Sequence, residues 1–220
     1  LHALAHAHDP ARGRLAMTAT ARCTPPPDGL FDEDIACEPD ALDAGVARSR
    51  AARLFYAGPQ RKPGRHEGVD PQQVYRLHHG HGFALTLVKA DGARMRWIKA
   101  PGEGEPALVP GCDLAVPVLS LRALGRPLDD KAAHRPERVA ELTGLGLGAV
   151  VTEQALAALL AHDQGSLRGT GGVRVVPLLN MVDDEATLGA AMAIAQEALS
   201  RTDRFDRVVL ARLRDPANPR

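Results

Sequence analysis

Aromatic residues are scarce in this chain, at 3% of its 220 residues, so its core must be built from leucine, valine and alanine. Neither sign of charge is in excess, because lysine plus arginine and aspartate plus glutamate number 27 each. General nucleic-acid binders and proteins that adhere to anionic membranes need a basic excess, so we expect neither nucleic acid nor membrane as a partner. The sequence also lacks an apolar run near the roughly 20 residues of a membrane span, and it shows no secretory signal peptide.

Cysteines are few, and Cys23, Cys37 and Cys112 form no CxxC pair. An odd number without a pattern is typical of a reducing compartment, and we expect a cytoplasmic protein. The histidine-rich run 78–81 has no carboxylate or cysteine at metal-ligand spacing, so we interpret it as a polar turn.

A phosphate loop of the form GxxxxGK[ST] is absent from the sequence, and the chain begins with Leu1 rather than methionine. Residues 1–8 have the composition of the middle of a helix, with no capping residue before them. We therefore expect that a segment upstream of Leu1 is missing.

The most informative stretch is 84–106, which opens with an apolar run over 84–88. This run predicts a buried strand that ends near Asp91, and α/β sheets place metal-binding or catalytic carboxylates at such strand ends. A basic cluster at Arg94, Arg96 and Lys99 follows. An ordinary strand followed by a solvated basic loop would give the same pattern, because one acid after one strand is common.

Apolar runs alternate with helical patterns along the rest of the chain. Strands are predicted near 14–18, 54–57, 113–119, 173–179 and 207–213, and helices near 1–8, 40–53, 69–74, 137–143, 153–162 and 185–201, followed by a polar tail over about 214–220. This alternation is typical of an α/β protein with a mostly parallel sheet flanked by helices. The length suits one domain, 1–220, better than two.

Polar residues follow several of the predicted strands. Thr18 and Thr20 follow an early strand, and Asn180 and Asp183 follow a late one. Hydroxyls at a strand end bind phosphate or metal-bound water in some proteins, but they equally cap a turn. The run from Asn180 to Asp183 has the form of the Asn-Lys-x-Asp run that reads a base in some nucleotide-binding proteins, with methionine in place of lysine.

Several short blocks then occur in a specific order. They are Ala90-Asp91-Gly92-Ala93, Ile98-Lys99-Ala100-Pro101, Glu105-Pro106, Pro110, Leu124-Gly125-Arg126-Pro127-Leu128, His134-Arg135-Pro136-Glu137, Leu142-Thr143-Gly144 and Leu179-Asn180. Together the blocks resemble the YqeC-type family of selenium cofactor biosynthesis proteins, which are accessory factors of selenium-dependent molybdenum hydroxylases. Weaker matches at 17–21 and 65–69 extend the resemblance over nearly the whole chain.

The resemblance implies a P-loop NTPase-like fold whose first strand and phosphate loop lie upstream of Leu1. It implies binding of ATP or GTP with Mg²⁺, and partnership with a molybdenum hydroxylase or its cofactor-maturation proteins. The implied role is insertion or activation of the selenium-containing molybdenum cofactor. We expect NTPase activity only of an intact parent and not of this chain alone.

The resemblance also implies roles for ten residues. Asp91 and Glu105 are the candidate catalytic residues, Asp91 is also the candidate metal ligand, and the candidate cofactor-binding residues are Thr18, Thr20, Arg94, Lys99, His134, Arg135, Asn180 and Asp183. The alternative for His134 and Arg135 is an ordinary helix start, and the alternative for Glu105 is a loop carboxylate.

The chain departs from the family pattern at five positions. Ala19 and Ala21 replace threonines, Lys89 replaces an acid, Gly104 replaces a histidine and Met181 replaces a lysine. These departures favour an alternative function, that of a non-catalytic scaffold or cofactor-binding module that has lost NTPase activity.

Lys89 is the departure with the clearest physical effect. Residues two apart on a strand face the same side, so its ammonium would lie near the Asp91 carboxylate. We expect Lys89 to weaken magnesium binding at Asp91, because it supplies a competing positive charge.

Overall fold

The computed structural model describes residues 1–213, and the predicted polar tail over 214–220 lies outside them. The described residues divide into two compact units, and the single domain over 1–220 stays a prediction. The first unit comprises Leu1–Gly92 and Ala107–Gly111, and the second comprises Ala93–Pro106 and the described residues from Cys112 onward. Within residues 1–213, no helix has the length and apolar character needed to cross a membrane.

The first unit is built on a four-stranded parallel sheet. Its strands are β1 (Arg14–Ala19), β2 (Glu33–Ala36), β3 (Arg53–Ala57) and β6 (Phe83–Lys89), its helices are α1 (His2–Ala7), α2 (Pro39–Arg48) and α3 (Pro71–Gly80), and β4 (Gln60–Lys62) and β5 (Arg65–His66) form a separate antiparallel hairpin. The strand order in the sheet is β2-β3-β1-β6. Alternate residues of the strands face two separate apolar clusters, one of which includes residues of α2 and α3 and the other Ala5 of α1.

Local sequence signals account for α3. The Asp70 carboxylate accepts hydrogen bonds from the backbone N–H groups of Gln72 and Gln73, and Pro71 occupies the first helical position, as the sequence predicted.

Two predictions for this unit were wrong. The histidine run is not a turn, because α3 continues through His78 and His79 to Gly80 with Leu77 buried beneath it. Among the described residues, β6, which was predicted as a buried strand, lies at the sheet edge, where it pairs with β1 and leaves Leu85 37% exposed.

The second unit contains short parallel pairings. Its strands are β7 (Ile98–Lys99), β8 (Leu114–Ala115), β9 (Val118–Ser120), β10 (Ala133–His134), β11 (Arg174–Val175), β12 (Leu178–Asn180) and β13 (Val209–Ala211), and its helices are α4 (Pro136–Thr143), α5 (Glu153–Ala161) and α6 (Glu185–Arg201). The pairs are β7–β10 and β8–β11, and β12 lies between β9 and β13. Pro117 and Pro177 each divide a run predicted as one strand into two, since proline cannot donate to a ladder.

Helix α6 has the predicted bounds but not the predicted apolar face, for which the residue spacing favoured Leu188, Met192, Ala195 and Leu199. Its buried side chains are Ala191, Ile194 and Ala198, whereas Leu188 and Met192 are exposed. Two of the three buried residues are alanines, whose small side chains let α6 pack closely against the core, and this outweighed the larger apolar side chains of the predicted face. With parallel strands and flanking helices in both units, the α/β class and the mostly parallel sheet are confirmed.

Candidate functional site

A polar pocket of about 370 Å³ lies in the second unit. Its lining residues are Arg94, Arg96, Asp130, Ala133, His134, Arg135, Pro136 and Glu137. The pairing of β7 with β10 brings two distant segments together here, with His134 as the register partner of Lys99. Three arginines face two carboxylates in the lining, so the pocket favours an anion.

A cluster of three charged residues, Lys99, Glu105 and Arg135, adjoins the pocket, and Arg135 belongs to both. Lys99 Nζ donates a hydrogen bond to Glu105 Oε2 at 2.6 Å. Arg135 donates two hydrogen bonds to the same carboxylate, from Nη1 to Oε2 at 2.8 Å and from Nη2 to Oε1 at 3.2 Å. The backbone N–H of Gly102 donates to Glu105 Oε2 at 3.1 Å. We call Lys99, Arg135 and the Gly102 N–H the anion cradle, because together they supply the donors that carboxylates and phosphates prefer.

The absence of a side chain at Gly102 leaves room for the Arg135 guanidinium. A Cβ atom at this position would lie 2.7 Å from Arg135 Nη2, which is closer than real side chains come. Arg135 itself has a left-handed backbone, φ 62° and ψ 66°, a conformation uncommon for a residue other than glycine. Sequence reasoning missed Gly102, because its role depends on a contact with a residue 33 positions away.

The cradle sets the ionisation of Glu105. Burial alone would raise the pKa of this carboxyl, but hydrogen bonds from Arg135, Lys99 and Gly102 outweigh it and lower the pKa to about 2. Glu105 is therefore an anion across the physiological range.

His134 lies in an environment that disfavours its charged form. Burial lowers its pKa first, and the positive charges of Arg135, Arg94 and Lys99 lower it further, while Glu105 acts in the other direction. At neutral pH the pocket thus holds an uncharged imidazole beside its arginines.

Arg94 and Arg96, which also line the pocket, differ in the hydrogen bonds of their side chains. Arg96 donates from Nε to the backbone carbonyl of Asp130 at 2.5 Å and from Nη1 to the carbonyl of Arg94 at 2.9 Å. The guanidinium of Arg94 makes no hydrogen bond or ion pair within residues 1–213. Arg94 is therefore available to a ligand, whereas Arg96 fixes the loop. Arg96 belongs to the basic cluster seen in the sequence, but no site role was predicted for it.

The strand-end residues of the first unit form a second group. Strands β1 and β6 end side by side, with Thr18 opposite Val88 and Ala19 opposite Lys89. Thr18 is 1% exposed, and its hydroxyl has no hydrogen-bond partner among the described residues. Thr20 differs, because its hydroxyl donates to the carbonyl of Ala107 at 2.6 Å.

Asp91 follows directly after β6. Its Oδ1 accepts a hydrogen bond from the N–H of Gly92 at 2.7 Å. Lys89 Nζ donates to the carbonyl of Arg22 at 2.5 Å and would lie 3.3 Å from a Cβ on Gly92, so its ammonium borders the Asp91-Gly92 turn. The structure thus places a cation beside the turn that carries the candidate metal ligand.

The candidate base-reading residues lie in the second unit, outside the pocket lining. Asn180 Oδ1 accepts a hydrogen bond from the N–H of Leu213 at 3.1 Å, and Asp183 lies 3.7 Å from Arg122 Nη2. Both side chains already have partners within the chain.

Of the ten candidate residues, five lie together around the pocket and the cradle, namely Arg94, Lys99, Glu105, His134 and Arg135. Thr18, Thr20 and Asp91 lie in the first unit. Within residues 1–213, no group of three or more histidine, cysteine or acidic side chains is placed to hold a metal ion. Mg²⁺ keeps several waters and needs only one or two protein carboxylates, so Asp91 fits such an ion in part.

Comparison with known proteins identifies the family. A profile of the family described as YqeC protein matches residues 1–137, which include every residue of the pocket lining and the cradle. The relative named Uncharacterized protein YqeC, from Escherichia coli (strain K12), is 30% identical over 118 residues, which cover 53% of this chain and 46% of the relative. No solved structure matches the chain. Since the family profile covers more than half of its length, this chain belongs to the YqeC protein family.

Proposed function

We propose that this protein is a nucleotide-binding accessory factor in the maturation of selenium-dependent molybdenum hydroxylases. It binds ATP or GTP with Mg²⁺, and the pocket in its second unit is the phosphate-binding site. The observation that carries this proposal is the Arg94 guanidinium, which lines the pocket and has no partner within residues 1–213.

Phosphate chemistry suits the pocket better than base recognition does. A guanidinium binds two phosphate oxygens at once, and both Arg94 and Arg135 line the pocket. Apart from His134, no aromatic side chain lines the pocket, so it offers little surface on which a base could stack. The pocket therefore holds the phosphate part of the ligand.

The first unit supports the P-loop NTPase-like part of the proposal. Thr18 lies near the carboxyl end of β1 and Asp91 follows the neighbouring parallel strand β6, and such strand ends carry the magnesium-binding groups of nucleotide-binding α/β proteins. A magnesium ion bound in the first unit would supply positive charge there. Asp91 would hold it through water, and Lys89 would weaken this contact.

The hydroxylase partner rests on the resemblance of the sequence blocks to selenium cofactor biosynthesis proteins. The matched region spans about half the length of the curated relative. We propose a molybdenum hydroxylase or one of its cofactor-maturation proteins as the partner, and a cytoplasmic location. Copurification of the tagged protein with hydroxylase subunits, followed by assay of hydroxylase activity in cells lacking the protein, tests this part. Unchanged hydroxylase activity would contradict it.

A second candidate function is a scaffold without NTPase activity. The engagement of Asn180 and Asp183 within the chain favours it, because neither side chain is then ready to read a base. The scaffold is also favoured by Lys89 and Met181, which stand where the family pattern has an acid and a lysine.

Calorimetric titration with ATP and with GTP, each with Mg²⁺, distinguishes the two functions. We expect the wild-type chain to bind and Arg94→Ala to bind about tenfold or more weakly, since a charge-assisted hydrogen bond contributes roughly 1.5–3 kcal/mol. Arg76→Ala, which removes an exposed arginine from α3 in the first unit, is the matched control and should leave affinity unchanged. Absence of binding by the wild-type chain would favour the scaffold.

A further inference from the structure

We propose that Glu105 is an internal substitute for the ligand's phosphate group, and that a polyphosphate entering the pocket displaces it from the anion cradle. The inference rests on the proposed function to the extent that the ligand carries phosphate. It adds a regulatory contact to the same site and assigns Glu105 the role of a competitor.

The donors around Glu105 are those that would bind a phosphate oxygen. An ammonium at 2.6 Å, a two-pronged guanidinium at 2.8 and 3.2 Å and a backbone N–H at 3.1 Å converge on one carboxylate. A carboxylate and a phosphate present similar pairs of oxygens to an arginine, so either anion satisfies this set.

Arg135 connects the cradle to the pocket. Its guanidinium holds Glu105, and the same residue lines the pocket beside Arg94 and His134. Glu105 and a ligand in the pocket therefore compete for one cation.

The difference in solvent exposure between Lys99 and Glu105 makes Glu105 the side chain that can leave. The Lys99 side chain is 12% exposed, whereas the Glu105 side chain is 32% exposed. A desolvated ammonium needs an anion beside it, but a carboxylate at this position reaches water with little movement. Glu105 is therefore the member of the ion pairs that can move into water when another anion takes its place.

The loop that carries Glu105 allows such a movement. It begins at Lys99 and includes Gly102 and Gly104, and Gly104 has a left-handed backbone with φ 68° and open space on the side where a Cβ would project. Glu103, two residues before Glu105, is exposed, so the loop already faces solvent.

Pyrophosphate titration of two matched variants tests the proposal, because pyrophosphate carries charge without a base. We expect Glu105→Gln to bind pyrophosphate about tenfold more tightly than the wild type, since the amide keeps the shape of the side chain and removes the competing charge. Glu103→Gln makes the same change two residues away and should leave the affinity unchanged. Equal or weaker binding by Glu105→Gln would overturn the proposal, because Glu105 would then be holding Arg135 in place for the ligand.

A second measurement uses the wild-type chain and does not depend on the fold of a variant. Carbon-detected NMR of glutamate-labelled protein follows the Glu105 carboxyl during titration with acid. Its pKa of about 2 should rise toward the ordinary glutamate value when pyrophosphate is present. A pKa that stays at its ligand-free value while pyrophosphate binds would overturn the exchange.

The outcomes separate this inference from the proposed function. If pyrophosphate binds Glu105→Gln more tightly while ATP and GTP fail to bind the wild type, the exchange stands and the nucleotide function falls. If ATP or GTP binds the wild type and Glu105→Gln gives no gain, the function stands and the exchange falls. If none of the three ligands binds either protein, both fall.

Discussion

Lys99 and His134 are register partners on the parallel strands β7 and β10, although they lie far apart in the sequence. The pairing places a cationic side chain and an uncharged imidazole at the same level of a two-stranded sheet. Because α4 begins directly after β10, Arg135 is held at the junction between strand and helix. The pocket and the cradle both follow from this one pairing.

Ligand binding should be coupled to proton uptake by His134. Burial and the charges of Arg135, Arg94 and Lys99 lower its pKa, and Glu105 opposes them. A bound phosphate adds negative charge and raises that pKa, so affinity should increase as the pH falls from about 7 toward 5.5. Titrations in buffers of different ionisation enthalpy measure the protons taken up.

His134→Gln should abolish this coupling while retaining a hydrogen-bonding side chain. Proton uptake that persists unchanged in the variant would assign the coupling to another group.

Glu105 should contribute pH-dependent stability. Its pKa is lowered to about 2 in the folded chain, against an ordinary value of about 4.3, so its contribution is present above the ordinary pKa and is lost as the pH falls toward 2. We expect Glu105→Gln to lower the free energy of unfolding at pH 7 by about 1–2 kcal/mol, a range reduced to allow for solvent screening of a partly exposed pair. Denaturant unfolding at pH 7 and pH 3 measures the difference, which should shrink at the lower pH. A constant difference would contradict an ionic origin.

Gly102→Ala should impair the cradle through a steric clash. The new methyl group would meet Arg135 Nη2 at 2.7 Å and force the guanidinium away from Glu105. We expect a loss of stability of roughly 1–3 kcal/mol and altered pyrophosphate affinity. Gly146→Ala is the control, since a Cβ there would meet no atom within 4 Å. Equal unfolding free energies for the two variants would show that Arg135 tolerates the methyl group.

Lys89→Glu should strengthen magnesium binding in the first unit. The substitution replaces the ammonium beside the Asp91-Gly92 turn with a carboxylate, which attracts the ion instead of repelling it. We expect a several-fold gain in affinity, measured by titration with Mg²⁺ or with Mn²⁺ as a spectroscopic substitute. Lys62→Glu makes the same charge change on the exposed strand β4. If Lys89→Glu leaves the affinity unchanged, Lys89 has no influence on a metal at Asp91.

Features with local causes could be predicted from the sequence. The start of α3 follows from Asp70 and Pro71, which act on neighbouring backbone groups. The end of α4 follows from Gly144, which takes up a left-handed conformation with φ 73°. Each signal lies within a few residues of the element that it bounds, so it could be recognised without knowledge of the fold.

Features that depend on distant contacts could not be predicted in this way. The β4–β5 hairpin was missed because its residues are polar and its strands are only three and two residues long. The edge position of β6 depends on strand order, which the apolar run does not specify. Residue spacing also gave no reason to group Lys99 with Arg135, and only the family resemblance pointed to both.

The buried hydroxyl of Thr18 lowers the stability of the sheet in which it lies. It lies buried at the end of β1 without a hydrogen-bond partner among the described residues, and an unsatisfied buried hydroxyl lowers stability by roughly 1–3 kcal/mol. Valine has nearly the same shape and lacks this penalty, so Thr18→Val should raise the midpoint of thermal unfolding. The native threonine thus leaves the sheet frustrated at one point, next to the carboxyl end of β6, where an isosteric apolar residue would relax it.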